Sequence, residues 1–156
     1  MAGIVEARLK DLGLELPDAA APVANYVPYT ISGNLVFVSG QVTFWNGELK
    51  LPGRIGEDLS VEDGSEAARL CALNLIAQVK AATGGDLDRV SQVIRLGGFV
   101  NCVPEFTDQA LVINGASNLM FDVFQEKGRH ARAAVGCPVL PLGAAVEIDG
   151  IFEING

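Results

Sequence analysis

A single histidine, His130, is the only imidazole in this chain, and its three cysteines, Cys71, Cys102 and Cys137, lie far apart. One histidine excludes His-rich metal centres. A catalytic triad would have to use His130, whose place just past the helix-ending Gly128 suggests a solvent-exposed or capping ring. The cysteines form no CxxC and have no neighbouring histidine, so they make neither a disulfide framework nor a zinc pattern; their expected role is as small core residues. GxGxxG after a strand, a Walker loop, HExxH and GxSxG are all missing, which removes the usual dinucleotide, phosphate-loop, zinc-protease and serine-hydrolase readings. Aromatic residues are 6% of the chain, so Val, Ile, Leu and Ala must fill most of the core.

Positive charge is also scarce: 11 Lys+Arg stand against 19 Asp+Glu, for a net charge of −8. A field of that sign repels phosphate backbones, and the most basic stretch, Lys127 to Arg132, holds only three permanent cations. Nucleic acid is therefore not an expected partner, although one arginine can still capture a small carboxylate. No apolar run reaches the ~18 residues that span a bilayer. The first helix carries Glu6, Arg8, Lys10 and Asp11 and is no export segment. With an odd cysteine count, this points to the cytoplasm.

Hydrophobic residues make up 49% of the 156 positions, enough for one globular domain over residues 1–156. Residues 1–25 form an extension: a short amphipathic helix over Ile4–Leu12, then a loop rich in Ala and Pro. Strands are expected at Tyr29–Ile31 and Leu35–Val38, with Gln41–Phe44 extending the pattern and Asn46-Gly47 marking a hairpin turn. Trp45 falls beside that turn, where packing is the expected role. Ser60-Val-Glu-Asp63 has the form of a capping box, and apolar residues at helical spacing follow as far as Gly84-Gly85. Arg89–Val103 has strand character, with a bulge expected at Gly97-Gly98. A second helix is expected over about Val112–Glu126, and two last strands over Ala131–Cys137 and Ala144–Ile154. Two amphipathic helices on one face of a mixed sheet is the economical α+β packing. Several strands are apolar on both sides, so the other face should favour self-association.

The terminal strands hold the informative residues. A hairpin turning between Val139 and Leu140 would set Arg132 opposite Glu147 on one sheet face. On spacing alone this is an ordinary cross-strand ion pair worth at most ~1 kcal/mol. Small neighbours, Ala131, Ala133 and Ala134, leave room beside the guanidinium for a carboxylate, and Glu147 could then hold or activate a water.

Gly128-Arg-His-Ala-Arg-Ala-Ala-Val-Gly136 and Leu140-Pro-Leu-Gly-Ala-Ala-Val-Glu-Ile148 together resemble the signature of the RidA/YjgF family of reactive-intermediate deaminases. Val27-Pro-Tyr29, Phe37-Val-Ser-Gly-Gln41 and Val112-Ile-Asn-Gly115 are similar in order. The resemblance implies a chorismate-mutase-like fold and a homotrimer with clefts between subunits. It also implies cofactor-free, metal-free hydrolysis of 2-imino acids of the 2-aminoacrylate type to 2-keto acids and ammonia. Arg132 would clamp the substrate carboxylate and Glu147 would position or activate water. Tyr29, Ser39 and Gly40 would line the cleft, with Asn114 contributed by the neighbouring subunit. The chain departs from the family at Ala134, where many members carry Cys, and at Val27, where Gly is usual. The N-terminal helix and Trp45–Asp58 are additional length. Two other readings stay open: a regulatory trimer that binds a small carboxylate without turnover, and a ribonuclease, which the net charge disfavours.

Overall fold

The computed structural model describes residues 3–21 and 24–156. Helix α1 (Ile4–Asp11) precedes strands β1 (Tyr29–Ser32) and β2 (Leu35–Gln41) and a small hairpin of β3 (Phe44–Trp45) and β4 (Glu48–Leu49). There follow α2 (Val61–Ala82), β5 (Val90–Asn101), α3 (Gln109–Phe124), β6 (Ala131–Cys137) and β7 (Val146–Ile154). Pro22 and Val23, within the expected loop rich in Ala and Pro, lie outside the described residues.

Helix α2 begins where the capping box places it. Ser60 Oγ accepts from the Asp63 N–H at 3.1 Å, and Asp63 Oδ2 accepts from the Ser60 N–H at 3.0 Å. Leu75 and Ile76 are fully buried, each contributing roughly 1.5–3 kcal/mol by removal from water. Asn74 and Gln78 are polar but almost equally buried, and they fasten the β3 hairpin and the N-terminal loop, respectively, to α2. Asn74 Nδ2 donates to the Phe44 carbonyl at 2.7 Å, and Gln78 Nε2 to the Ala20 carbonyl at 2.8 Å. Trp45 packs partly buried against the core. Helix α3 starts three residues before the expected Val112, its first turn closing on the Asp108 carbonyl.

The five-stranded sheet has the order β1-β2-β7-β5-β6. Both α2 and α3 pack on one face of it, and this mixed α+β architecture is the expected one. The expected hairpin of the last two strands does not form. β6 lies parallel to β5 and β7 lies antiparallel to β5 on its other side. The helix between β5 and β6 supplies the crossover that a parallel pair needs, so β6 takes the sheet edge and β7 is left the opposite side of β5. Arg132 is therefore level with Leu96 and Glu147 with Phe99. Leu96 is fully buried beneath the helices, whereas Phe99 belongs to the open face. Arg132 and Glu147 consequently sit on opposite faces of the sheet and form no cross-strand pair.

The Gly97-Gly98 bulge is also absent. Register shifts fall between Val90 and Gln92 and between Val93 and Arg95, while Gly97 and Gly98 pair regularly with Asp149 and Ile148. Gly98 is needed for packing instead, because a Cβ there would stand 2.7 Å from Ile113 Cδ1 of α3. The open face is only partly apolar. Phe37 and Val135 are exposed on it, and between them run an Arg95–Asp149 ion pair at 3.8 Å and a Ser91–Glu153 hydrogen bond at 2.8 Å.

Candidate functional site

The residues singled out from sequence fall into two groups, one on each face of the sheet. On the open face, β2 departs from regular pairing between Val38 and Gln41, so Ser39 and Gly40 together face one position of β7. This bulge turns Gly40 toward Glu147. A Cβ on Gly40 would stand 2.6 Å from Glu147 Oε2, so the carboxyl rests directly on the glycine backbone. Ser39 Oγ donates to the Val27 carbonyl at 2.9 Å, and the Ser39 N–H donates to the Pro28 carbonyl at 2.9 Å, strapping the incoming loop to β2.

The result is a cleft of about 310 Å³ with Ser39, Gly40 and Glu147 at its polar side. Ala20, Tyr26, Pro141 and Leu142 are among its apolar walls, and Glu147 is its sole carboxylic residue. Ala20 is held in place by Gln78, which is how the N-terminal extension comes to shape the cleft. Burial first, and then the negative charge of Asp149, push the Glu147 carboxyl above the ordinary glutamate range. Such a group takes and returns a proton closer to neutrality than a solvated glutamate.

Arg132 and Asn114 lie elsewhere, in a pocket of about 400 Å³ between α3 and the outer strand β6. Arg132 Nη1 donates to Ser117 Oγ at 3.1 Å and Nη2 to the Ala110 carbonyl at 3.4 Å. No carboxylate pairs with this guanidinium among the described residues. Its bidentate fork is thus available to an anion at the edge of the sheet. Tyr29 belongs to neither pocket. Its partner is the buried Val38, which places it on the helix-covered face of β1, and Tyr26 lines the open-face cleft in its stead.

Tyr26, Ser117 and His130 bring polar groups to these pockets and were not among the expected site residues. Ser117 follows Asn114 by one helical step of three, which puts both on one face of α3, and that spacing is legible in sequence. His130 is half-buried rather than exposed, 2.9 Å from Ser117 Oγ and 2.6 Å from the Gly128 carbonyl. Cys71 and Cys102 are buried core residues, and burial raises the Cys71 thiol well above its usual range. Among the described residues no group of three or more His, Cys, Asp or Glu is gathered as a metal site, and no helix is long and apolar enough to cross a membrane.

The sequence profile of the family described as "YjgF/chorismate mutase-like, putative endoribonuclease" matches residues 6–152. Protein TCP17 of Trypanosoma cruzi is 51% identical over 154 residues, covering 98% of this chain and 96% of that protein. The crystal structure of Atu1372, a protein of unknown function from Agrobacterium tumefaciens, is similar at 56% identity and a TM-score of 0.91, covering 97% of this chain and 92% of that one. A putative endoribonuclease from Shewanella oneidensis is similar at 39% identity and a TM-score of 0.93, covering 97% and 100% of the two chains.

Proposed function

This chain belongs to the YjgF/chorismate mutase-like family, and from that premise we propose that it is a cofactor-free hydrolase of 2-imino acids, releasing 2-keto acids and ammonia. The observation that carries the reading is Glu147: a half-buried carboxyl with raised proton affinity, alone of its kind in an otherwise largely apolar cleft. Water adds to the carbon of the protonated imine as Glu147 takes one of its protons, giving a neutral carbinolamine. Glu147 returns that proton to the nitrogen, the C–N bond breaks as ammonia leaves, and the carbinolamine hydroxyl proton passes to the Glu147 carboxylate as the keto group forms. Imines hydrolyse unaided in water, so placement of water and substrate is the main demand on the protein.

Substrate placement falls to Arg132, whose planar fork matches a carboxylate. Because Arg132 and Glu147 occupy opposite faces of one sheet, a site using both requires two copies of the chain. We assign it to clefts of a homotrimer, where the β6 edge and α3 of one subunit, with Arg132 and Asn114, meet the Ser39–Gly40–Glu147 cleft of the next. Exposed Phe37 and Val135 on the open face supply apolar surface for such contact. A cytoplasmic location suits an enzyme that clears reactive imines where amino acids are consumed.

The test is ammonia release from 2-imino acids generated in place by an amino-acid oxidase. The protein should accelerate it, Arg132→Ala should lose most of the acceleration, and Arg132→Lys should not recover it, since an ammonium lacks the fork. Equal rates for the native protein and Arg132→Ala would overturn the reading.

A further inference from the structure

We propose that His130 is a positioning residue for Arg132, acting through the Ser117 hydroxyl to hold the guanidinium where it meets a substrate carboxylate. The proposal rests on the imine-hydrolase reading for its substrate, but its geometry stands apart from it.

Hydrogen-bond roles along this chain of groups follow from one end. The Gly128 carbonyl can only accept, so the proton at the 2.6 Å contact belongs to His130 Nδ1. A neutral ring protonated there leaves Nε2 bare, and at 2.9 Å it accepts the one proton Ser117 has to give. With that proton committed, the lone pairs of Ser117 Oγ are turned toward Arg132 Nη1, 3.1 Å away. A free serine hydroxyl rotates among partners; this one does not. The far end is itself closely packed, because Gly128 lies against the Met120 carbonyl with no space for a side chain between them. Arg132 is long, stands on an edge strand and has no carboxylate partner among the described residues, so without this relay little but the Ala110 carbonyl would define its position.

The relay requires a neutral ring. Burial, and after it the positive charge of Arg132, hold His130 below the ordinary imidazole range, against the opposing pull of the Gly128 carbonyl. The charged groups lining the pocket are Arg129 and Arg132, and Arg129 is engaged by Glu126 at 2.9 Å and by the Phe121 ring. Helix α3 contributes uncharged Asn114, Ser117, Asn118 and Phe121. A protonated His130 would donate to Ser117 instead of accepting, leave the hydroxyl proton without its partner and add a third cation beside two arginines.

The experiment uses the full chain and pyruvate as the carboxylate probe, with Kd read by calorimetry and KM and kcat read in the imine assay. His130→Phe should raise both Kd and KM about tenfold with kcat nearly unchanged, the loss expected when a charge-assisted hydrogen bond is no longer preset. His130→Gln, which keeps an acceptor for Ser117, should recover most of the affinity, and Ser117→Ala should reproduce the loss. On an Arg132→Ala background, His130→Phe should add nothing. Native Kd should rise as pH falls through the His130 pKa, below ~6.5, and His130→Gln should lack that limb. His130 is the chain's only histidine, so its ring nitrogens are read by NMR without assignment and should show the Nδ1-protonated tautomer. Wild-type affinity in a folded His130→Phe, equal loss on the Arg132→Ala background, or no pyruvate binding by the native protein would each overturn the relay. Absence of imine turnover with His130-dependent pyruvate binding would sink the hydrolase reading and leave the relay standing.

Discussion

Glu147 and Asp149 are neighbours on the same face of β7, yet their surroundings part them. Asp149 is engaged with Arg95 at 3.8 Å, while Glu147 sits half-buried against Gly40, where desolvation favours its neutral form. A group in that position serves proton transfer better than charge pairing. Glu147→Gln should therefore cut imine turnover by ~10²–10⁴-fold while leaving pyruvate affinity near its native value. Because the proposed base is the carboxylate, the native rate should fall as pH drops through a pKa above the usual glutamate value of ~4.3, and the Gln variant should lose that limb. Parallel measurement of kcat and pyruvate Kd across pH checks both statements. Unchanged turnover in the variant would leave orientation by Arg132 as the whole of the chemistry.

Helix α1 shows how an added element is held to a complete fold. Its first N–H groups, those of Ile4 and Val5, each donate at 2.9 Å to the carboxylate of Asp88, from the turn that opens β5. Arg8 Nη1 reaches the Val123 carbonyl at 2.6 Å, Lys80 of α2 pairs with Glu6 at 3.1 Å, and Val5 and Leu9 are buried below. Asp88 is thus a capping residue supplied from more than eighty positions away, in place of the local side-chain cap that Gly3 cannot provide. These two N–H donors hold the Asp88 carboxyl below its ordinary range. The stability it contributes is present above the unfolded aspartate pKa of ~3.9 and is lost as pH falls through the lower folded value. Asp88→Ala should lower unfolding free energy by ~1 kcal/mol at neutral pH, in line with loss of an N-cap. The difference from the native protein should vanish in acid, once pH has fallen through the lowered folded value and both lack the charge. Thermal melts at the two pH values check this, and a constant difference would remove the carboxylate as its cause.

At the scale of the whole molecule, the proposed site divides between copies, and that division has a consequence independent of any single-variant loss. Light scattering should give a mass about three times 16.4 kDa. Arg132→Ala and Glu147→Gln chains, each inactive alone, should regain activity when mixed by co-expression. In a ring of three, an interface receives an intact Arg132 from one variant and an intact Glu147 from the other in about a quarter of random cases, which sets the expected fraction of the native rate. Recovery near that fraction would require two subunits per site. A mixed assembly with no activity would place both residues' functions within one chain or remove one of them.

Much of this was legible in local pattern. The helical period of α2, its Ser60–Asp63 cap, the Asn46-Gly47 turn and the order of strands and helices depend on neighbours within a few residues, and those neighbours are written in the chain. Arg132 and Glu147 stood out for the same reason, as charged residues among small and apolar ones on two adjoining strand patterns. Which strands pair was not local. Only the packing of α3 on the sheet decided that β6 runs parallel beside β5, carrying Arg132 to an edge and to the helix side, while β7 takes the interior with Glu147 on the open face. The same long-range packing turned Gly98 from an expected bulge into a contact with Ile113 and let the N-terminal extension wall a cleft through Gln78. It also drew His130, outwardly a capping histidine, against Ser117. Strand alternation assigns side chains to faces only once the pairing is known, and pairing is settled by contacts between residues distant in sequence.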